Sequence, residues 1–242
     1  MNKFYIGADI GGTTVKFGMF SHTGELLEKW EIKTRVENEG ENILPDVAAS
    51  IEEKRAWNDG NIMGIGVGIP GPVAEDGTVL KCPNIPWPVF NVKDKLFDLT
   101  GVGNIRVAND ANVAALGEMW KGGGRGYDSI VMVTLGTGVG GGVILGGRIL
   151  TGARGASGEI GHMKVELHET EQCGCGGRGC LEQYSSATGI VRMAKKEMKE
   201  DSALAALAEV TAKDIFDQAK AGDSYALYIV DKFAKYLGTA LA

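Results

Sequence analysis

Apolar residues near the start of the chain fall into three short runs separated by glycine-containing turns. The runs cover residues 4–10, 15–20 and 26–32 and are rich in the β-branched and aromatic residues that favour strands. Gly11-Gly12 separates the first two runs, and His22-Thr23-Gly24 separates the second from the third. This pattern predicts an antiparallel meander of three strands.

Helical and extended patterns alternate after the meander. On the helix that begins near residue 110, we expect Val113, Leu116 and Trp120 to face inward. Strands followed by helices, in two rounds, predict an α/β chain. The further predicted strands cover residues 62–69, 105–108, 130–135 and 139–145. The predicted helices cover residues 41–57, 91–99 and 110–121. From Leu181 onward the whole chain has a helical pattern, with breaks near 201, 209–211 and 222.

Two distant segments share one organisation. Residues 9–20 read DIGGTTVKFGMF and residues 134–145 read TLGTGVGGGVIL, so each is a strand, a glycine–threonine turn and a second strand. This weak repeat favours domain duplication over a solenoid because its period is so long. Two unrelated glycine-containing hairpins explain the pattern equally well.

The first of these turns has the composition of a phosphate-binding loop. Gly11 and Gly12 leave room for backbone N–H groups to converge on a phosphate, and Thr13 and Thr14 add hydroxyl donors. Asp9 lies two residues before the turn and is a candidate ligand for Mg²⁺, which prefers carboxylates, waters and phosphate oxygens. A simple hairpin turn is the alternative interpretation.

The second turn, Gly136-Thr137-Gly138, repeats this chemistry, and Thr137 and Gly138 are its candidate phosphate contacts. Two such hairpins on either side of a cleft would hold a triphosphate. Either turn alone is weak evidence, but the pair favours nucleotide binding.

Asn109 and Asp110 fall where a predicted strand ends and a predicted helix begins. The helix dipole favours an ionised carboxylate at this position, which could accept the proton of an attacking hydroxyl. Asp and Asn are also frequent helix caps, and the local pattern alone favours a cap.

The segment from Gly158 to Glu182, GEIGHMKVELHETEQCGCGGRGCLE, carries a candidate metal site. One histidine nitrogen and three cysteine sulfurs form a donor set suited to a closed tetrahedral Zn²⁺ site. The rival histidine, His168, lies among glutamates 166, 169 and 171 that predict a solvated stretch, so His162 is preferred. The predicted ligands are His162, Cys173, Cys175 and Cys180.

Composition narrows the possible partners. The chain of 242 residues is 44% hydrophobic and 23% charged with a net charge of −6, and it has no Lys/Arg run longer than two. This argues against a nucleic-acid partner. The apolar start is too short for a signal peptide or a membrane span, so we expect a cytoplasmic protein without a membrane partner. Three of the four cysteines lie within eight residues, which in the cytoplasm indicates metal binding rather than disulfides.

Taken together, these motifs resemble the family named for repressors, open reading frames and kinases, or ROK. The resemblance runs from Ile6 to at least Ser186. It is carried by DIGGTTVKFG at 9–18, GIGVGIPGPV at 64–73, VANDANVAALGE at 107–118, TLGTGVGGGV at 134–143, GEIGH at 158–162 and CGCGGRGCLEQYSS at 173–186.

The resemblance implies an actin-like and hexokinase-like (ribonuclease H-like) fold of two domains around an ATP cleft. We expect a small N-terminal domain at 1–108 and a larger domain with the zinc loop at 109–242. The resemblance implies Asp110 as the catalytic base, which overrides the local preference for a cap, and Zn²⁺ on the four ligands named above. The sugar-binding residues that it implies are Asn84, Asn109, Asp110, Glu159, His162 and Glu182.

The implied activity is Mg²⁺-assisted transfer of phosphate from ATP to the 6-hydroxyl of a hexose. The segment PNIPWPVFNVKDKL at 83–96 is most similar to glucokinases of the family, so glucose is the expected substrate. N-acetylmannosamine, N-acetylglucosamine, allose and fructose are alternatives. A sugar-sensing regulator without its DNA-binding domain is a distant alternative, because only eight residues precede Asp9. We expect the intact family member to be a homodimer or homotetramer.

The end of the chain predicts a helix over 224–242 with a cap at Asp223 or Ser224 and one apolar face. It has no Gly or Pro stop signal. In the resembled family this helix leads to a strand and a glycine-rich turn that helps hold the adenosine. We therefore expect this chain to be less than a whole kinase, with its zinc loop intact but feeble ATP-dependent activity. A partner subunit that supplies the missing surface is the alternative.

Overall fold

The computed structural model describes residues 2–58, 60–80, 82, 84–152 and 155–242. These residues form two compact units. The first comprises the described residues of Met1–Met132 and Gly142–Ser157, and the second comprises Val133–Gly141 and Gly158–Ala242. The expected domain boundary between residues 108 and 109 stays a prediction.

The element bounds follow the hydrophobic pattern closely. The strands are β1 (Asn2–Ile10), β2 (Thr14–Ser21), β3 (Leu26–Lys33), β4 (Gly60–Ile69), β5 (Thr78–Val79), β6 (Phe90–Asn91), β7 (Ile105–Asn109), β8 (Ile130–Leu135), β9 (Val139–Leu145) and β10 (Arg148–Ile149). The helices are α1 (Ile43–Asn58), α2 (Val92–Thr100), α3 (Asp110–Lys121), α4 (Glu182–Ser185), α5 (Ala187–Lys196), α6 (Ala212–Lys220) and α7 (Ser224–Leu241).

A five-stranded sheet in the order β3-β2-β1-β4-β7 organises the first unit. The predicted antiparallel meander of β1, β2 and β3 is confirmed. The strand β4 pairs in parallel with both β1 and β7. The carboxyl ends of three parallel strands therefore lie along one edge of the sheet, which is where ligands bind in open α/β sheets.

One face of β4 is apolar and the other is made of glycine. Ile65, Val67 and Ile69 are buried in the core, which they share with the buried face of α1. The residues between them are Gly64, Gly66 and Gly68. Because strand side chains alternate between the two faces, this second face carries no side chains and leaves room for close approach.

The prediction for the inward face of α3 is wrong for Val113 and Trp120, while Leu116 is half-buried. The buried residues of α3 are Ala111, Asn112 and Ala115, while Val113 is 39% exposed and Trp120 is 54% exposed. The helix packs tightly against β9, where a Cβ at Gly142 would lie 2.6 Å from the Ala115 Cβ. At such a short separation only small side chains fit between helix and strand, so the large apolar residues point elsewhere.

Helices form most of the second unit, and its core contains Ile190, Leu204, Ile215 and Ile229, which are fully buried. Three of the helix starts are capped by side chains: α5 by Ser186, α6 by Thr211 in a reciprocal pair with Asp214, and α7 by Asp223. The predicted cap of α7 at Asp223 is thus confirmed. Every helix in the described part of the chain is too short or too polar to cross a bilayer.

Candidate active site and metal centre

The first glycine–threonine turn joins β1 to β2 and is closed by hydrogen bonds. The Gly11 N–H donates to the Thr14 carbonyl oxygen at 3.0 Å. Thr34 holds the turn from outside: its hydroxyl donates to the Gly11 carbonyl oxygen at 2.7 Å, and its N–H donates to the Thr13 carbonyl oxygen at 2.9 Å. A turn held in this way keeps its remaining N–H groups in fixed positions, as a phosphate-binding loop requires.

Asn84 lies against the same turn. A Cβ at Gly12 would come within 2.7 Å of the Asn84 carbonyl oxygen and 3.2 Å of the Asn84 Cβ. Glycine is therefore required at position 12 while Asn84 keeps its place. The structure brings one predicted sugar-binding residue next to the predicted phosphate turn. Pro83, which begins the glucokinase-like segment, lies outside the described residues.

Two carboxylates converge across the glycine face of β4. Gly68 pairs with Asp9 on one side and with Ala108 on the other, and Asp110 follows two residues later. A Cβ at Gly68 would lie 3.6 Å from Asp9 Oδ1 and 3.6 Å from the Asp110 Cα. Partial burial raises the pKa of Asp9, and the Asp110 carboxylate raises it further while Lys16 lowers it. Such a carboxylate pair favours a cation.

Asn109, and not Asp110, caps α3. The Asn109 Oδ1 accepts hydrogen bonds from the N–H groups of Ala111 at 3.0 Å and Asn112 at 3.2 Å. The Asn109 Nδ2 donates to the Gly71 carbonyl oxygen at 3.1 Å. Asp110 is the first helical residue, is exposed, and accepts one N–H bond from Ala111 at 2.8 Å. Since the capping role is already filled, the Asp110 carboxylate is available for chemistry.

The start of α5 holds the second glycine–threonine turn. Within the turn, the Gly136 N–H donates to the Gly138 carbonyl oxygen at 3.0 Å. From α5, the Thr188 hydroxyl donates to the Thr137 carbonyl oxygen at 2.6 Å, and the Ala187 N–H donates to the Gly136 carbonyl oxygen at 2.8 Å. Both predicted phosphate turns are thus held in place by residues from neighbouring elements.

Glu182 links this turn to the cysteine cluster. Its Oε2 accepts a hydrogen bond from the Val139 N–H at 3.3 Å, and a Cβ at Gly138 would collide with the same carboxylate. Its Oε1 lies 3.7 Å from the Cys173 Sγ. A predicted sugar-binding residue therefore contacts both the phosphate turn and a predicted metal ligand.

The four predicted metal ligands come together in the second unit. Their ligand atoms all lie within 4.8 Å of one another, with 3.7 Å between Cys175 Sγ and Cys180 Sγ and 3.9 Å between Cys173 Sγ and His162 Nδ1. Zn–S bonds of about 2.3 Å place two tetrahedral ligands about 3.8 Å apart, so the donor set and its spacing fit Zn²⁺. His168 is not part of this group.

The thiols of the cluster differ in their environments. Burial raises the pKa of Cys173, and it raises the pKa of Cys180 to about 12. A hydrogen bond from the Gly177 N–H, at 3.4 Å, lowers the pKa of Cys175. Metal binding requires thiolates, so a metal ion that binds here displaces protons. Cys82 lies in the first unit; burial and then the Asp110 carboxylate raise its pKa to about 11.

Glu159 and His162 lie on one short turn. A 3-10 helix covers Ile160–His162, and the His162 N–H donates to the Glu159 carbonyl oxygen at 3.1 Å. A side chain at Gly161 would collide with the Val139 carbonyl oxygen, so the turn packs directly on β9. A metal ion on His162 would therefore fix the backbone that carries Glu159.

The expectation of a solvated stretch around His168 is wrong in one respect. The Glu169 side chain is only 5% exposed, because Arg192 and Tyr184 enclose it. Glutamate is seldom buried unless it is paired, and the chain gives no local sign of the partner, which comes from α5.

Sequence reasoning missed the residues that support the site. Thr34 and Thr188 hold the two turns, yet isolated threonines give no signal of such a role. Gly68 had a signal, because glycines alternate with apolar residues along β4 and indicate close approach of a neighbouring backbone.

The chain is similar to known proteins of one family. The family model described as ROK family matches residues 5–242. A glucokinase of Halalkalibacterium halodurans is 43% identical, over 100% of this chain and 76% of its own length. A glucokinase of Thermotoga maritima is 41% identical, over 98% of this chain and 76% of its own length.

A solved structure of similar fold includes bound ligands. The ROK family glucokinase from Streptomyces griseus, in complex with glucose and AMPPNP, matches with a TM-score of 0.74 and 34% identity. The match covers 98% of this chain and 78% of that chain.

Proposed function

Since this chain belongs to the ROK family, we propose that it transfers the γ-phosphoryl group of ATP to the 6-hydroxyl of glucose. The observation that carries the proposal is the start of α3. Asn109 caps the helix, so the Asp110 carboxylate is left free, next to Asp9, the acid that precedes the phosphate turn of β1. A free carboxylate close to a phosphate-binding turn is the arrangement that a hydroxyl-to-phosphate transfer needs.

In the proposed reaction, Asp110 accepts the proton of the sugar hydroxyl as its oxygen attacks the γ-phosphorus in line, the bond from that phosphorus to the bridging oxygen breaks, and ADP leaves. The N–H and hydroxyl groups of the turns at 11–14 and 136–138 would hold the phosphate oxygens, and Asp9 would hold Mg²⁺ directly or through water. Mg²⁺, when bound, offsets negative charge on the phosphoryl oxygens. Most of the rate comes from positioning and electrostatics, and the base adds a smaller factor.

We assign the sugar contacts to Asn84, Asn109, Asp110, Glu159, His162 and Glu182. Amide and carboxylate groups suit the hydroxyls of a sugar because each accepts or donates two or more hydrogen bonds. Glucose is favoured by the glucokinase relatives and by the ligands of the Streptomyces griseus glucokinase. Kinases for N-acetylmannosamine, N-acetylglucosamine, allose or fructose are the alternatives.

A kinetic panel tests the substrate. The purified chain is assayed for ADP release with Mg-ATP and each of glucose, N-acetylmannosamine, N-acetylglucosamine, allose and fructose. The Asp110→Asn variant serves as the control for contaminating kinases. We expect the highest kcat/KM with glucose; a higher value with another sugar overturns the choice of glucose. Absence of turnover with all five sugars, in protein that binds AMPPNP, overturns the kinase assignment for this chain.

We also propose that His162, Cys173, Cys175 and Cys180 hold one structural Zn²⁺. Four protein ligands would close the coordination sphere, so a bound ion would hold His162 and the backbone of Glu159 and would have no open position at which to activate water. Metal analysis of protein purified without chelator should give one zinc per chain. A value well below one rejects the assignment.

The proposal also covers the cellular compartment and the oligomeric state of the enzyme. We propose that it acts in the cytoplasm as a homodimer or homotetramer on free hexose and ATP. Light scattering of the purified protein gives its oligomeric state directly, and a monomer at micromolar concentration contradicts that part of the proposal.

A further inference from the structure

The segment that joins His162 to Cys173 has little regular structure of its own. Residues 163–172 contain no helix or strand, only isolated bridges at Lys164 and Gln172. A flexible segment between two metal ligands must become ordered when the metal binds, and that entropy cost weakens binding. Contacts that order the segment beforehand therefore increase the affinity for the metal.

Arg192 of α5 makes such contacts in the middle of the segment. Its guanidinium binds Glu169 Oε2 at 2.9 Å and Glu171 Oε2 at 2.5 Å. It also donates to the Gln183 carbonyl oxygen from Nε at 3.2 Å and from Nη2 at 3.1 Å, and it lies over the Tyr184 ring. One planar group thus joins the segment to both α4 and α5.

Both carboxylate oxygens of Glu169 accept hydrogen bonds. Its Oε2 also accepts the Tyr184 hydroxyl at 2.5 Å, and its Oε1 accepts the N–H groups of Thr170 at 2.9 Å and Glu171 at 3.0 Å. The Glu169 side chain is only 5% exposed, and Arg192, at 2.9 Å, is its nearer cation, since the Lys196 Nζ lies 3.9 Å from Oε1. Removing one partner of a buried ion pair leaves an uncompensated charge.

Gln183 extends the attachment to the metal ligands themselves. Its Oε1 accepts the Cys180 N–H at 3.1 Å, and its Nε2 donates to the Glu171 carbonyl oxygen at 3.1 Å. The Gln183 carbonyl oxygen is the one that Arg192 holds. Arg192 therefore contacts Gln183, which in turn contacts Cys180, a ligand of the proposed metal site.

We propose that Arg192 is a positioning residue for the segment 163–172 between the metal ligands, which it holds in the metal-binding arrangement through Glu169, Glu171 and Gln183. The inference rests on the proposed zinc site. Residues that orient metal ligands from behind typically change metal affinity by about 10–100-fold when they are replaced, and we expect a loss in that range for Arg192→Gln.

Zinc competition against a chromogenic chelator measures this affinity without any kinase assay. The matched control is Arg178→Gln, which removes the same charge from an exposed arginine between the metal ligands Cys175 and Cys180. We expect Arg178→Gln to stay within about 3-fold of the parent chain. Equal losses for the two variants overturn the proposal, because charge alone would then explain the effect. Parent-like affinity for Arg192→Gln also overturns it.

Two further variants keep the proposal testable if Arg192→Gln does not fold. Arg192→Lys keeps the charge but lacks the guanidinium fork, and it should lose part of the affinity. In the double variant Arg192→Gln/Glu169→Gln no buried charge is left unpaired, so its loss should be smaller than the sum of the two single losses. Additive losses contradict the pairing. A parent chain that binds no zinc rejects the metal site and the inference with it, whereas a zinc-binding parent with an unaffected Arg192→Gln rejects the inference alone.

Discussion

Replacing Asp110 by asparagine exchanges one oxygen for nitrogen and keeps the start of α3 intact. The helix is capped by Asn109, whose Oδ1 accepts the N–H groups of Ala111 and Asn112. The single N–H bond that Asp110 accepts from Ala111, at 2.8 Å, can be accepted equally by an amide oxygen. We therefore expect the free energy of unfolding to change by less than about 0.5 kcal/mol.

The same change removes the proposed general base. A positioned base contributes about 10²–10⁴-fold to the rate, so Asp110→Asn should lower kcat by that factor, or by about 3–5 kcal/mol in the activation free energy. The KM for glucose should change much less, since the amide keeps the shape and one acceptor. Asn109→Ala should behave differently, because it removes the cap and the bond to Gly71. We expect it to cost about 2–3 kcal/mol of stability.

Calorimetry and steady-state kinetics on the two variants and the parent separate these roles. For a unit of this size, about 2 kcal/mol corresponds to a fall in Tm of about 4–8 °C, so only Asn109→Ala should shift the transition clearly. The reasoning is refuted if Asp110→Asn turns over near the parental rate. It is equally refuted if that variant unfolds as early as Asn109→Ala, because Asp110 would then be a structural cap.

Two further predictions concern stability. Burial raises the pKa of Glu169, but hydrogen bonds from Tyr184 and Arg192 outweigh burial and hold it at about 2, against an ordinary 4.5. Its contribution is therefore full above pH 4.5 and is lost as the pH falls towards 2, and in chemical unfolding of metal-free protein Glu169→Gln should flatten this acid dependence by about 2 kcal/mol. Asp223→Ala removes the α7 cap, which binds the Ala226 N–H at 2.8 Å, and should cost about 1–2 kcal/mol in the same assay, whereas Asp223→Asn should cost less.

Local chemistry was readable from the sequence because it depends on neighbouring residues. The turns at 11–14 and 136–138 follow from glycine and threonine placed between apolar runs, and β1, β2, β8 and β9 lie where the pattern predicts them. Likewise, three cysteines within eight residues can reach one metal ion whatever the rest of the fold does.

Long-range placement was not readable in the same way. The inward face of α3 depends on the glycines of β4 and β9, which are distant in sequence, so a helical pattern alone selected the wrong side chains. The burial of Glu169 depends on Arg192, which lies 23 residues further along the chain. In both cases the deciding partner belongs to another element, and no local rule identifies it.

Gly68 shows how register turns local motifs into a site. A valine or isoleucine would suit the strand better at this position, since glycine weakens a strand interior. A larger side chain would, however, occupy the space between the Asp9 carboxylate and Asp110, because even a Cβ would lie 3.6 Å from Asp9 Oδ1 and 3.6 Å from the Asp110 Cα. The parallel pairing of β1, β4 and β7 brings the acid of the phosphate turn and the proposed base to this one point. Glycine at position 68 is thus explained by the site and not by the stability of the sheet.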